Sequence, residues 1–307
     1  MLAPYTTFGI GGPADCFVVA RSENELIEAI HFAKEKNIPF FILGTGANIL
    51  IGDKGFRGLV IKNEANKSEV SKETEERKVF LTAESGATIA ELIKITQEKG
   101  LSGLEHFAGI PSSVGGALWQ NLHFLNPDRS RTVFIGDILE SAVILGIEGT
   151  SESTASDSGR TPFARMMVDC DYFQFGYDSS SLHSTHDVVL SATFALTAED
   201  PKVITERINA NLAWRAAKHP ANAVKTSAGS IFKKIEGHGA GRLIEQVGLK
   251  GYHMGGAKIS DEHANFIINE HGASAKDVRN LVDLVTKKVK NELGLDMQIE
   301  ISFVGEF

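Results

Sequence analysis

Cysteine is almost absent from this sequence, since only Cys16 and Cys170 occur among its 307 residues. Two cysteines without a CxxC pair do not form a disulfide framework, and no cysteine–histidine group has the spacing of a zinc site. We therefore predict that both are small buried hydrophobic residues and that the protein binds no metal.

The sequence also lacks a long apolar run and an excess of positive charge. No run approaches the ~18 apolar residues of a membrane span, and MLAPYTTFGIGG lacks the basic and apolar regions of a signal peptide. The formal net charge of −8 argues against a nucleic acid as partner. We expect a cytoplasmic monomer that binds neither membranes nor nucleic acids.

The first hundred residues alternate between strand patterns and helix patterns. DCFVVA (15–20) and VFLTAE (79–84) are rich in β-branched residues and predict strands. Ser22 and Thr88 each precede an amphipathic stretch and have a glutamate three residues later, which is the pattern of a capping box. This part of the chain is therefore predicted to be mixed α/β.

The rest of the chain is less regular. DYFQFGYD (171–178) and DVVLSATFALT (187–197) resemble strands, and the polar stretch 147–160 is typical of a mobile surface loop. A final strand, QIEISFVG, alternates so that Glu300 lies off the core face. We place domain boundaries near residues 65 and 198, which predicts three domains, 1–65, 66–198 and 199–307.

Two stretches rich in glycine and small residues occur in the first half, GTGANIL (44–50) and GIPSSVGGA (109–117). Glycines let backbone N–H groups approach phosphate oxygens, although a tight turn between strands is the alternative interpretation of the first stretch. Neither is a Walker A loop, because no GK[ST] follows. Together they favour a large cofactor enclosed by backbone.

A third stretch, KTSAGSIFKK (225–234), places Ser230 three residues before Lys233. That spacing matches the S-x-x-K of serine acyl-transfer enzymes, but no S-D-N is present and the KTS precedes the serine. A hydroxyl that lines the core is the commoner role of such a serine. We keep acyl transfer as a rival hypothesis.

The order of motifs along the chain resembles the UDP-N-acetylenolpyruvoylglucosamine reductase family. The motifs are TTFGIGGPA, ILGTGANILIGDKGFRGLVI, GIPSSVGGA, FGYDSS, SAGSIFKK, AGRLIEQVGLKGYHMGGAKISDEHANFIIN and IEISFVG. The resemblance covers nearly the whole chain apart from 121–135 and 147–170. It implies an α+β fold, with a two-subdomain FAD-binding region of the PCMH/vanillyl-alcohol-oxidase type followed by an α/β substrate-binding domain.

The resemblance also implies a reaction. NADPH would reduce FAD, the flavin would pass hydride to the enolpyruvyl double bond of a UDP-sugar, and a proton would reach the adjacent carbon from a group within hydrogen-bond reach. Ser230 matches the family's proton donor, and Glu300 matches its C-terminal glutamate. Lys218 falls where the family has a lysine near the diphosphate.

The remaining site residues come from the same resemblance. The expected FAD contacts are Thr45, Gly46, Ala47, Asn48, Ile49, Gly109, Ile110, Pro111, Ser113, Gly115, Gly116 and Ala117. The expected substrate contacts are Tyr177, Arg215, Lys218 and Lys234, and the expected catalytic positions are Ser230, Glu300 and Asp178.

Asp178 departs from the family pattern F-G-Y-R-x-S, in which the arginine steadies negative charge that develops on the substrate. Reversing a charge about 4 Å from that site changes the interaction by several kcal/mol at an effective dielectric constant near 20. Our hypothesis is that Arg129 or Arg131, both in the altered segment after GGA, compensates. The alternatives are a flavin oxidoreductase with another substrate and a nucleotide-binding protein without turnover.

Overall fold

A computed structural model describes residues 1–72, 78–126, 128–147, 163–220, 223–235 and 237–307. The predicted loop over 147–160 therefore lies, except for Ile147, outside the described residues. Within the described ranges, no helix combines the length and the apolar character needed to cross a membrane.

Helices and strands alternate along most of the described chain. The α-helices are α1 (Glu23–Glu35), α2 (Ile89–Glu98), α3 (Val114–Gln120), α4 (Leu182–Thr185), α5 (Pro201–Lys218), α6 (Ala223–Thr226), α7 (Ala240–Gln246) and α8 (Ala275–Leu293). The strands are β1 (Ala14–Ala20), β2 (Phe40–Leu43), β3 (Ile49–Ile51), β4 (Phe56–Asn63), β5 (Ser68–Val70), β6 (Lys78–Glu84), β7 (Leu101–Ser102), β8 (His123–Leu125), β9 (Thr132–Phe134), β10 (Leu139–Leu145), β11 (Arg165–Asp169), β12 (Val188–Ala198), β13 (His253–Met254), β14 (Ala257–Ile259), β15 (Ile267–Asn269) and β16 (Ser302–Val304).

The predicted helix starts are confirmed by their caps. The Thr88 side chain accepts from the Glu91 N–H, and the Glu91 carboxylate accepts in return from the Thr88 N–H. Ser22 caps α1 by accepting from the Glu25 N–H. These bonds satisfy N–H groups that have no partner inside the helix, so the sequence fixes where each helix begins.

The chain divides into two compact units. Unit 1 comprises Met1–Phe17, Pro39–Val60 and Trp214–Phe307, and unit 2 comprises Val18–Ile38 and Ile61–Ala213. The three predicted domains and their boundaries at 65 and 198 remain predictions.

Unit 1 contains two small sheets of short strands. Strand β16 pairs in parallel with β3, with Ser302 opposite Ile49, and β13, β14 and β15 form an antiparallel sheet. Helix α8 buries one apolar face, as its spacing predicts. That face includes Val278, Leu281, Val282, Val285 and Val289.

Unit 2 is built on an antiparallel sheet in the order β11–β10–β12–β6–β5, with β7 also pairing with β12. Strand β12 is central, and most of its residues are buried. Its core includes Phe107, Phe173 and Phe194, each with no exposed surface. Strands β8 and β9 form a separate antiparallel pair in the segment where the sequence departs from the family pattern.

Two expectations are wrong. Residues 170–173 form a short 3-10 helix that Asp169 caps, and no strand follows before the turn at Gly176–Ser179. The alternating aromatic residues are explained instead by stacking of Phe173 on Phe175 at 5.0 Å. Cys16 is exposed, so only Cys170, which is partly buried, resembles the predicted hydrophobic role.

Candidate functional site

The GTGAN loop of unit 1 connects β2 to β3 and requires glycine at Gly46. Gly46 has a φ of 66°, and a Cβ there would collide with the Tyr5 carbonyl oxygen. The Thr7 N–H donates to the Gly46 carbonyl at 3.1 Å, and the Thr7 hydroxyl donates to the Ser227 carbonyl at 2.7 Å. The TTFGIGG motif therefore fixes the loop from one side.

The loop presents backbone donors. Within the described residues, the N–H groups of Gly46, Ala47 and Asn48 donate to no protein acceptor. Consecutive N–H groups of this kind form concave sites for anions. The predicted FAD contacts Thr45 and Ile49 flank these donors, and the donor set fits the phosphate oxygens of a dinucleotide.

Ser230 and Glu300 lie on backbone segments that pair with each other. The Glu300 N–H donates to the Ile231 carbonyl at 2.8 Å, and Phe232 forms an antiparallel bridge with Ile299. Both Ser230 and Glu300 are partly exposed. Their pairing brings together two predicted catalytic residues that are far apart in the sequence.

Asn48 connects this pair to the GTGAN loop. Its side-chain amide donates to the Glu300 carbonyl at 3.4 Å, and its own carbonyl accepts from the Ser302 N–H at 3.0 Å. The end of the candidate cofactor loop and the glutamate are therefore adjacent within unit 1.

Asn265 holds the serine segment from its other side and was not foreseen from the sequence. Its side-chain oxygen accepts from the Phe232 N–H at 3.0 Å, and its amide donates to the Phe232 carbonyl at 2.9 Å. Its own carbonyl accepts from the Ile231 N–H. The HANFIIN stretch is part of a motif that resembles the family, but nothing in a single sequence shows which backbone groups its asparagine binds.

The cations predicted to bind the substrate belong to the last turn of α5 and to the serine segment, residues 225–234. Lys218 and Lys234 are exposed, whereas Arg215 is partly buried and burial lowers its pKa to about 10. Burial, together with Arg215 and His263, lowers the pKa of His219 to about 4. His219 is therefore neutral at pH 7, and Arg215 and Lys218 carry the positive charge at this helix end.

In unit 2, the GIPSSVGGA loop leads directly into α3. Ser113 caps the helix by accepting from the Gly116 N–H at 3.3 Å, and the Gly115 N–H donates to the Ser85 carbonyl at 2.8 Å. A Cβ on Gly115 would lie 3.3 Å from that carbonyl oxygen, so the close approach explains the glycine.

This loop also offers donors. The N–H groups of Gly109, Ser112 and Ser113 donate to no acceptor among the described residues. Gly109 has a φ of 83°, which directs the chain into Ile110 and Pro111. Of the last two predicted contacts, Gly116 is exposed and Ala117 is buried. The loop is thus a second backbone cradle of the kind that FAD needs.

Tyr177 and Asp178 occupy a turn attached to the other end of α3. Asp178 is only 3% exposed and Tyr177 is 51% exposed. The Asn121 amide donates to the Gly176 carbonyl at 2.9 Å, and the Ser180 hydroxyl donates to the Trp119 carbonyl at 2.8 Å. The aspartate that replaces the family's arginine is therefore a buried carboxylate and not a solvent-facing turn residue.

A basic side chain that the sequence reasoning missed faces this carboxylate. His123 Nδ1 lies 3.7 Å from Asp178 Oδ1, which is ion-pair distance but too long for a hydrogen bond. His123 comes from β8, in the same altered segment as Arg129 and Arg131. The Arg129 guanidinium lies over the Phe124 ring at 5.4 Å. Compensation by Arg129 or Arg131 remains a prediction.

Two family models match the chain. One is described as UDP-N-acetylenolpyruvoylglucosamine reductase, C-terminal domain, over residues 219–304. The other is described as FAD binding domain, over residues 14–139. Together they confirm the predicted fold class, in which an FAD-binding region precedes a C-terminal domain of its own.

Curated relatives match over almost the whole chain. The UDP-N-acetylenolpyruvoylglucosamine reductase of Moorella thermoacetica is 38% identical over 99% of this chain and 92% of its own length. The reductase of the same name from Bacillus subtilis is 36% identical over 99% and 92%, respectively. The one from Treponema denticola is 37% identical over 100% and 92%.

A solved structure matches as well. The crystal structure of UDP-N-acetylenolpyruvylglucosamine reductase from Thermus caldophilus superposes with a TM-score of 0.73 and 29% identity, covering 99% of this chain and 97% of the other. The shared length, the two family models and the motifs of the two glycine-rich loops, 44–50 and 109–117, all indicate the same family. This chain belongs to the UDP-N-acetylenolpyruvoylglucosamine reductase family.

Proposed function

We propose that this protein reduces UDP-N-acetylglucosamine enolpyruvate to UDP-N-acetylmuramate, a precursor of peptidoglycan, with FAD as bound cofactor and NADPH as hydride donor. The curated relatives of that name, which match over nearly full length, support the proposal. FAD, when bound, supplies the hydride that adds to one carbon of the enolpyruvyl double bond.

The observation that carries the proposal is the pairing of Ser230 with Glu300 beside Asn48. The reaction needs a proton donor and a carboxylate close to a flavin-binding loop, and these three residues lie on hydrogen-bonded segments of one unit. The isolated bridges at Ser230 and Phe232 show extended backbone rather than a helix. Residues three apart become neighbours on a helix, so the acyl-transfer reading, which needs Lys233 beside Ser230, loses support.

We assign the proton transfer to Ser230. Hydride addition leaves an electron pair on the neighbouring carbon, and the Ser230 hydroxyl gives its proton to that carbon. Gly229 precedes the serine with a φ of 77°, which glycine adopts without strain, and Ser230 itself is partly exposed. Glu300 is the carboxylate that orients the reacting group.

The remaining assignments follow from charge and from backbone donors. Lys218, at the end of α5, binds the diphosphate of the sugar nucleotide, and Arg215 and Lys234 make further contacts to the substrate. The two backbone cradles hold the phosphates of FAD. Tyr177, which is half exposed, contacts the substrate. We expect a cytoplasmic protein that acts as a monomer.

The test is oxidation of NADPH by the purified, FAD-loaded protein in the presence and absence of the enolpyruvyl sugar nucleotide. We expect substrate-dependent turnover, and Ser230→Ala to lower the rate of flavin reoxidation by about 10²–10⁴-fold. Ser184→Ala, at an exposed serine of unit 2, is the control and keeps the wild-type rate.

Two results contradict the proposal. If NADPH reduces the flavin but the sugar nucleotide does not reoxidise it, the enzyme has a different acceptor. If the protein binds the sugar nucleotide without oxidising NADPH, it is a binding protein. Labelling of Ser230 by an acylating probe in a flavin-free protein would instead support acyl transfer.

A further inference from the structure

Asp178, Gln174 and Asn121 each have a strained backbone conformation. Among the described residues, the non-glycine positions with positive φ include Asn121 at 49°, Arg129 at 63°, Gln174 at 41° and Asp178 at 51°. Such conformations persist only where the surrounding structure determines them, and they cluster at functional sites. Asn121 and the turn 174–178 therefore form one locally strained module of unit 2, joined by the Asn121 amide that donates to the Gly176 carbonyl.

The module is attached to the candidate flavin cradle by α3. This helix begins at the GIPSSVGGA loop, and its seven residues span about 10 Å. At its far end, Asn121 and Trp119 hold the turn that carries Asp178 by the two hydrogen bonds described above. Asp178 is thus placed at a fixed distance from the cradle.

The environment of His123 determines which of its ring nitrogens faces Asp178. Nδ1 faces two acceptors, the Asp178 carboxylate at 3.7 Å and the Asn121 carbonyl at 3.4 Å. Both acceptors lie near Nδ1, so Nδ1 is the ring nitrogen that faces Asp178. The ring is held between Tyr177 and Phe134, with centroids at 4.5 and 5.3 Å.

The two partners differ in access to solvent. The Asp178 side chain is 2% exposed and the His123 side chain is 20% exposed. A buried carboxylate needs an opposite charge, and it does not itself present charge to a ligand. His123 is the member of the pair that a ligand reaches, and Asp178 is the member that holds it.

We infer that His123 carries the positive charge that steadies the substrate during hydride transfer and that Asp178 is its positioning residue. The pair replaces the single arginine of the family pattern, since the cation moves from the turn to β8 and the carboxylate takes the vacated position. This inference rests on the proposed function. No bond forms to His123; its charge stabilises the electron pair that hydride addition leaves on the substrate.

The first variant is His123→Gln, which removes the charge and keeps a polar side chain. We expect the rate of flavin reoxidation by the enolpyruvyl sugar nucleotide to fall by about 10²–10³-fold. Reduction of the flavin by NADPH and the FAD content should stay close to wild type. His271→Gln, at a histidine whose side chain is 78% exposed in unit 1, is the matched control and should reoxidise at the wild-type rate.

A double-mutant cycle separates positioning from a structural role. Asp178→Asn alone should slow reoxidation at least about tenfold. In the His123→Gln background the same change should cause no further loss, because Asp178 acts only through His123. Replacing the pair by His123→Gln with Asp178→Arg recreates the family pattern and should recover at least about tenfold over His123→Gln alone.

The outcomes distinguish this inference from the function on which it rests. If wild-type protein does not reoxidise with the sugar nucleotide, the proposed function is wrong. If wild-type protein does so and His123→Gln is equally fast, or if the two single losses multiply in the double variant, only the inference is wrong. Should His123→Gln not fold, His123→Asn takes its place in the same cycle.

Discussion

Replacing Asn265 by alanine tests whether the clamp on the serine segment sets both stability and activity. The change removes the acceptor of the Phe232 N–H and the donor to the Phe232 carbonyl. Phe232 is 1% exposed, so water does not replace these partners. Each buried group left without a partner costs about 1–3 kcal/mol, and for the pair we expect a loss of about 2–6 kcal/mol in the free energy of unfolding.

The consequence should extend from stability to catalysis. Ser230 lies two residues before Phe232, and a displacement of about 1 Å at a reacting group lowers the rate by about 10²-fold. We therefore expect Asn265→Ala to lower the urea midpoint by about 1 M and to slow flavin reoxidation at substrate saturation. Asn291→Ala, at an exposed asparagine of α8, is the control.

Urea unfolding followed by circular dichroism, and stopped-flow flavin absorbance, measure the two effects. If Asn265→Ala unfolds at the wild-type midpoint and reoxidises at the wild-type rate, the side chain does not hold the segment and the reasoning is refuted. A lower midpoint with unchanged reoxidation would refute only its role in placing Ser230.

Three further predictions concern separate features of the two units. Gly46→Ala should abolish FAD binding, whereas Gly248→Ala, with nearly the same φ of 68° but open space around the new Cβ, should cost only about 1 kcal/mol of stability and leave FAD content unchanged. The pKa of His219 is about 4 in the folded protein and about 6.5 unfolded, so stability should be lost as pH falls between those values, by about 1–3 kcal/mol, and His219→Gln should flatten urea midpoints measured over that range. Arg129→Ala and Arg131→Ala should be compared with wild type for flavin reoxidation; if neither slows it, neither residue compensates for Asp178.

Local rules gave the helix ends correctly because a cap depends on residues only a few positions apart. Thr88 and Glu91 satisfy each other's backbone, and Ser274 does the same with Asp277, in whatever tertiary setting they occur. The Gly294 end of α8 has a φ of 73°, which glycine permits without strain.

The stretch 171–178 shows where such rules stop. Alternating aromatic residues satisfy a strand pattern, but Asp169 accepts from the Tyr172 N–H and starts a 3-10 turn instead. The ring of Phe173 then stacks on Phe175, so the apolar residues are buried without a strand. A side-chain cap here competes with the backbone hydrogen bonds of a strand. Residues distant in the sequence decide which one forms, and a single sequence does not show them.

The individual residues and loops of the candidate site could be predicted from the sequence, but the contacts between distant residues could not. The loops and Ser230 follow from motifs, whereas the facing of His123 and Asp178 depends on a contact between β8 and a turn more than fifty residues away. No short-range pattern predicts that contact. The sequence therefore pointed to arginines of the right segment, while the histidine of that segment escaped notice.

The parallel pairing of β16 with β3 has a consequence for how the chain matures on the ribosome. Asn48 and Glu300 are 252 positions apart. At about 5–20 residues per second, roughly 13–50 s pass between their syntheses. Throughout that interval β3 has an edge that its native neighbour has not yet covered, and an open edge is where chains aggregate. The serine, the glutamate and the loop that ends at Asn48 are thus assembled late, so a nascent chain has no complete unit 1 with which to begin catalysis.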